Sequence, residues 1–179
     1  MDYKFYERKL NDVILKCPIE AGVEILVYML LDSLIDSENI SLIDINRLHK
    51  KSDLRLSTDG GVSDIAVVSR DFRYNSKEGK VYGFVEVKAN SQPLEETEQT
   101  IGQKSKCLDH KDSNEYRHYL YTNGLTWKYY LLGEYKWKIV LACCEHKPCE
   151  FITVFKEISI DETKFDELKT MLKEIKWAD

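Results

Sequence analysis

The sequence predicts an α/β fold, a central mixed sheet flanked by helices. Three observations carry this reading. Helical spacing opens and closes the chain, its middle is rich in β-branched and aromatic residues, and an Asn-Gly turn signal divides the later strands. The 179 residues suffice for one domain with a real core and are too few for two ordinary ones, so residues 1–179 read as a single domain.

Lys4 to Lys16 reads as a first short helix. Pro18 suits the first position of a second, where its missing N–H has no intrahelical partner. Ile19, Val23, Leu26, Leu30 and Leu34 then recur at helical spacing to about Ile35. Glu20 and Glu24, four apart, share a face beside that stripe. Leu54 to Ser57 is a short candidate strand that Gly60-Gly61 ends. Asp64 to Ser69 and Val81 to Ala89 read as strands joined by the polar turn Arg73 to Lys80. From Pro93 to about His110 the pattern is helical, with Leu94, Ile101 and Leu108 spaced in sevens. Tyr116 to Thr122 and Leu125 to Leu132 flank Asn123-Gly124, a hairpin signal because both residues tolerate positive φ. Trp137 to Cys144 and Phe151 to Ile158 suggest a second hairpin. Asp161 is a good N-cap for a last helix packing Phe165, Leu168, Leu172 and Ile175.

Composition narrows the class. With 43% hydrophobic and 32% charged residues the chain belongs with globular proteins rather than disordered ones. A protein that merely coats DNA would usually be basic, whereas the net charge here is -5. A carboxylate cluster that binds metal adds negative charge without excluding a nucleic-acid partner. The charged start has no apolar export signal, and Glu20, Glu24 and Asp32 interrupt the longest apolar stretch, so no bilayer span is expected. Five cysteines, an odd count, then read as reduced thiols in a cytoplasmic protein.

The chemistry centres on Asp64 and on Glu86-Val87-Lys88. Strand side chains alternate faces, so Glu86 and Lys88 point one way and Val87 the other. If the two strands pair through the Arg73–Lys80 turn, Asp64 comes beside Glu86. Two carboxylates offer hard oxygen ligands to Mg²⁺, which keeps several waters, and Mn²⁺ is expected to substitute. Such a cation lowers the pKa of bound water, and an adjacent lysine can orient or deprotonate that water and stabilise developing negative charge.

Gly61-x-x-Asp64 before an apolar strand, followed by Glu86-x-Lys88, resembles the signature of the PD-(D/E)xK nuclease superfamily. Pro18-Ile19-Glu20-Ala21-Gly22-Val23 resembles the preceding acidic helix that often supplies a further metal-site carboxylate. Gln99 and Gln103 are similar to the glutamine motif of the type I restriction enzyme nuclease subgroup, and Tyr121-Thr122-Asn123-Gly124 through Tyr130 resembles its hairpin. The resemblance covers about residues 18–132. Ser63 stands where the pattern has proline, and Cys107 where an aromatic would follow the glutamine. The resemblance implies a restriction-endonuclease-like fold and metal-dependent phosphodiester hydrolysis, on DNA rather than RNA. It implies Asp64 and Glu86 as Mg²⁺ ligands, Glu20 completing the shell directly or through water, Lys88 handling the attacking water, and Gln103 positioning Lys88 or the phosphate. Nucleases of this type often dimerise to cut both strands, though no homodimer interface is legible in the sequence. The alternative, from another class, is a catalytically silent nuclease-fold protein that binds nucleic acid or a partner protein, such as a phage counter-defence factor.

Other clusters read more plainly. Cys143, Cys144, His146 and Cys149 crowd one turn, whereas zinc sites usually use two separated pairs, so a turn with strand-end thiols is the better reading. His110 and His118 have no nucleophile partner and read as surface or hydrogen-bonded structure. Arg47, His49, Lys50, Lys51 and Arg55 precede the site, and Lys104, Lys106, Lys111 and Arg117 follow it; they are either a solvated face or a phosphate path. Trp127, Tyr129 and Tyr130 could stack bases, but an alternating aromatic strand is more often core.

Overall fold

A computed structural model describes residues 1–48, 53–58, 60–105, 118–144 and 147–178. Helices α1 (Tyr3–Lys16) and α2 (Glu20–Asp32) lead into β1 (Ile40–Asp44), β2 (Ile65–Ser69) and β3 (Val81–Val87). Helix α3 (Glu98–Ser105) precedes β4 (His118–Thr122), β5 (Thr126–Leu131) and β6 (Glu134–Val140). The short strands β7 (Ala142–Cys144), β8 (Lys147–Cys149) and β9 (Ser159–Ile160) come before the final helix α4 (Glu162–Lys173).

The main sheet has six strands in the order β1-β2-β3-β4-β5-β6. Only β3 and β4 run parallel in it; the other neighbours are antiparallel. This is the expected mixed α/β architecture, with the parallel pair made by the crossover that contains α3. Strand alternation divides the core in two. Ile65, Val67, Val85, Val87, Leu120 and Trp127 belong to the larger cluster, built with α1, α2 and α4. Ala66, Val68, Phe84, Tyr119, Tyr121 and Tyr130 belong to the smaller one on the other face.

Helix boundaries follow their caps. Asp2 accepts from Phe5 N at 2.8 Å and Asp161 from Lys164 N at 3.0 Å, starting α1 and α4. α2 begins at Glu20, not Pro18, and ends at Asp32, short of Ile35. α3 also starts later than Pro93. Thr97 and Thr100 exchange hydroxyl-to-backbone hydrogen bonds of 2.8 and 3.2 Å, a reciprocal cap that fixes Glu98 as the first helical residue. The expected continuation to His110 lies outside the described residues.

Three strand expectations need correction. Leu54–Leu56 is a 3₁₀ turn capped by Asp53, and the strand beside β2 is Ile40–Asp44 instead. Trp137 to Cys144 divides into β6 and β7, and β7 pairs with β8 and β9 in a separate three-stranded sheet. Most of Phe151 to Ile158 is irregular, with Val154 and Phe155 exposed.

The Asn123-Gly124 hairpin is present, but its loop has three residues and only Gly124 takes a positive φ, +82°. Asn123 accepts from Leu125 N and Thr126 N, and its Nδ2 donates to the carbonyls of Gln92 and Glu150. Asn90 Nδ2 donates to Asn123 O and the Tyr6 hydroxyl to Gly124 O. The hairpin tip is thus a buried brace linking the segment after β3 to α1. No described helix is long and apolar enough to cross a membrane.

Candidate active site

The β2–β3 register sets the site. Ile65 lies opposite Val85, and one step outward Asp64 N donates to Val85 O at 3.2 Å, placing Asp64 across from Glu86. The Asp64 carboxylate turns back onto β3, where Oδ2 accepts from Val87 N at 2.6 Å. Among the described residues, no hydrogen bond reaches its Oδ1. Val87 points into the large core, so Glu86 and Lys88 share the opposite face as alternation requires.

Glu86 is the floor of the site, with 2% of its side chain exposed. Its Oε1 accepts from Lys88 Nζ at 2.6 Å and Gln99 Nε2 at 3.0 Å. Its Oε2 accepts from Gln103 Nε2 at 2.8 Å. Gln99 and Gln103, four apart on α3, therefore grip the two oxygens of one carboxylate. Gln103 is fully buried, and the Tyr119 hydroxyl donates to its Oε1 at 2.6 Å. The Gln103 amide donates to Glu86, which in turn accepts from Lys88.

Glu20 opens α2 and brings Oε2 to 3.7 Å from Lys88 Nζ. Glu24, one turn on, is committed elsewhere: both its oxygens accept from Asn46 Nδ2, at 3.0 and 2.8 Å. The helix carboxylate that faces the site is thus Glu20.

Burial and the Glu86 charge push Asp64 up to about 8. Burial also raises Glu86, while the Lys88 charge and the hydrogen bonds from Lys88 and Gln103 pull it back. For Lys88, burial works against the ammonium, but Glu86 and the other acids outweigh it and raise its pKa. At neutral pH the cluster holds a cationic lysine and two acids that a low-dielectric setting makes reluctant to be charged together.

The donor set fits a hard divalent cation that keeps most of its waters. Asp64 and Glu86 face each other across the strand pair and neither is comfortable as an anion. Among the described residues no group of three or more His, Cys, Asp or Glu side chains forms a closed metal cage. That count covers the described cysteines, and His146 lies outside the described residues. Cys17, Cys143 and Cys149 are reduced thiols, and Cys149 Sγ donates to Phe151 O at 3.3 Å.

The helix bearing the glutamines is seated by a glycine. A Cβ at Gly60 would fall 2.0 Å from Gln99 O and 2.6 Å from Gln103 N, so only glycine lets the turn at Thr58–Gly61 pass beneath α3. The Gly-Gly pair was legible in sequence as a strand breaker; its contact with α3 was not. Tyr119 was likewise missed, although its alternation with Leu120 puts it on the Glu86 face.

The remaining candidates settle into structure. Arg55 is no free phosphate ligand. It pairs with Asp53 at 2.7 Å, donates to the carbonyls of Glu78 and Arg73, and stacks on Phe72. Arg47 is exposed. His49, Lys50, Lys51, Lys106, His110, Lys111, Arg117 and the Lys104 side chain lie outside the described residues. His118 is buried, its Nδ1 2.8 Å from the Tyr129 hydroxyl. Trp127, Tyr129 and Tyr130 are buried core, so no stacking platform is formed there.

No protein-family model and no curated protein matches the chain. Among solved structures, the chain is similar to one in a DrdV–DNA complex determined by cryo-EM. The TM-score is 0.58 at 12% identity, over 97% of this chain and 96% of that one. At that identity the likeness is one of fold, and the shared fold is the restriction-endonuclease-like mixed sheet flanked by helices.

Proposed function

We propose that the chain is a PD-(D/E)xK-type nuclease that hydrolyses phosphodiester bonds in DNA with a divalent cation, Mg²⁺ or Mn²⁺. The register that sets Asp64 across from Glu86, with Lys88 on the Glu86 face, is the observation that carries this reading. The likeness to a chain solved in complex with DNA supports DNA as the substrate.

Asp64 and Glu86 would hold the cation, with Glu20 in reach through water. When bound, such a cation supplies an activated water and offsets charge on the phosphate. Asp64 is fixed through Oδ2 by Val87 N, which leaves Oδ1 as the oxygen for the cation. Glu86, gripped by Gln99, Gln103 and Lys88, contributes a carboxylate whose direction is set before anything binds. Lys88 keeps its proton between Glu86 and Glu20, so it acts as an ammonium that orients water and stabilises phosphate charge, not as a free base.

One observation favours a silent binding protein instead: both Glu86 oxygens already have partners within the chain. Cleavage of plasmid and single-stranded DNA by pure protein with Mg²⁺ or Mn²⁺ decides between them. Metal-dependent cutting that disappears in Lys88→Ala supports the nuclease; DNA binding without cutting under any metal supports the binding protein.

A further inference from the structure

Glu86 sits at the end of a chain of hydrogen bonds that starts on the neighbouring strand. The Tyr119 hydroxyl meets Gln103 Oε1 at 2.6 Å, and Gln103 Nε2 meets Glu86 Oε2 at 2.8 Å. Tyr119 and Gln103 are both fully buried, so neither can exchange its partner for water.

The polarity of this chain is dictated by its last member. An ionised carboxylate only accepts, so Gln103 must turn its Nε2 to Glu86. That leaves Oε1 facing β4, where a donor is required, and Tyr119 supplies one. Phenylalanine at 119 would leave a buried carbonyl oxygen without a partner and free the amide to turn. The consequence for the site lies in Glu86 Oε2. Among the described residues, Oε1 is taken by Lys88 and Gln99, whereas Oε2 accepts from Gln103 alone and keeps a second lone-pair direction.

Resting on the nuclease reading above, we infer that Tyr119 is a positioning residue acting through Gln103: it fixes the Glu86 carboxylate so that the remaining direction of Oε2 points to the cation. Neighbours of this kind, which orient a metal-binding carboxylate, typically set affinity or activity by tenfold or more.

The test measures Mn²⁺ affinity by calorimetry, with plasmid cleavage beside it. Tyr119→Phe is expected to weaken Mn²⁺ binding by roughly tenfold and lower kcat, leaving KM for DNA unchanged. Gln103→Met removes both hydrogen bonds at similar volume and is expected to do at least as much. In the Gln103→Met background, adding Tyr119→Phe should weaken Mn²⁺ no further, because the two act in series. Tyr121→Phe is the control. Tyr121 lies on the same face of β4, but its hydroxyl donates to Glu95 O at 3.3 Å, outside the chain, so Mn²⁺ affinity should hold.

Wild-type affinity in Tyr119→Phe, or equal weakening by Tyr121→Phe, overturns the inference. So does a further loss when Tyr119→Phe is added to Gln103→Met. Should Tyr119→Phe fail to fold, unchanged affinity in Gln103→Met overturns it equally. If the wild type shows no Mn²⁺ binding that Asp64→Asn abolishes, the metal-dependent reading itself fails, an outcome separable from these.

Discussion

Two buried polar clusters lie near the end of β3, and they are built on opposite terms. The Asn123 side chain is neutral and fully paired: its oxygen accepts twice and its amino group donates twice. Around Asp64 and Glu86 the groups are ionisable, alike in charge and raised by burial. A satisfied amide needs nothing more and holds the backbone in place. The buried Glu86 and the half-buried Asp64, both in reach of one lysine, are the groups for which a bound cation is proposed. The resemblance groups both features as motif residues; their local chemistry separates a brace from a site.

The largest expected effect is at the site. Lys88→Ala should reduce DNA cleavage on the order of a hundredfold or more, with DNA affinity in Ca²⁺ kept within a few-fold. Lys88→Arg should not restore the rate, since a planar guanidinium does not replace a compact ammonium. Plasmid nicking beside gel-shift titration checks both; a Lys88→Ala protein as active as wild type removes the proposed role.

Asn123→Ala should show the reverse profile. It strands two backbone N–H donors and two carbonyls, and a loss of about 2–4 kcal/mol is expected in urea unfolding. At a temperature where the variant stays folded, Mn²⁺ affinity should hold. A stable but metal-blind variant would erase the distinction between the clusters.

Glu20 and Glu24 refine it. The half-exposed Glu20–Lys88 pair adds little stability, so Glu20→Gln should change unfolding by under about 1 kcal/mol while lowering cleavage. Glu24→Gln should perturb stability through Asn46 instead. Finding the activity loss in Glu24→Gln, with Glu20→Gln silent, would reassign the helix carboxylate.

A separate expected effect is a pH dependence without metal. Asp64 is raised from 3.8 to about 8, so the fold favours its protonated form. The stability tied to that proton is fully present below about pH 4 and is lost as pH rises through 8. In a chelator, the melting temperature of Asp64→Asn relative to wild type should therefore rise from pH 5 to pH 8.5. A constant difference across that range would mean that Asp64 titrates normally.

Much of the site was legible in sequence because its spacing is local. Strand alternation gives Glu86 and Lys88 one face, and a single turn brings Asp64 across. The helix gripping Glu86 was harder to read. Leu94, Ile101 and Leu108 suggested an apolar stripe, yet Ile101 is exposed and, among the described side chains of α3, the buried ones are Thr100 and Gln103. A helix whose inward side is polar carries no hydrophobic signal. Tyr119 could be placed on a strand but not against a glutamine 16 residues earlier. Ile40–Asp44 was missed because five residues with one clear alternation resemble many loops, and Phe151–Ile158 misled because Ile152 and Ile158 reach the core from irregular backbone while Phe151, Val154 and Phe155 stay exposed. Long-range packing decides such cases, and periodicity does not report it.

The central claim is that Asp64 and Glu86 jointly hold a divalent cation. The direct measurement is the melting temperature at pH 7.5 with Mn²⁺ titrated against a chelator control, for wild type and Asp64→Asn. Binding only to the folded state stabilises by about 2.7 kcal/mol at a hundred times Kd. The account predicts a saturable rise in wild type and little or none in Asp64→Asn. Equal rises in both proteins, or none in either, would contradict it.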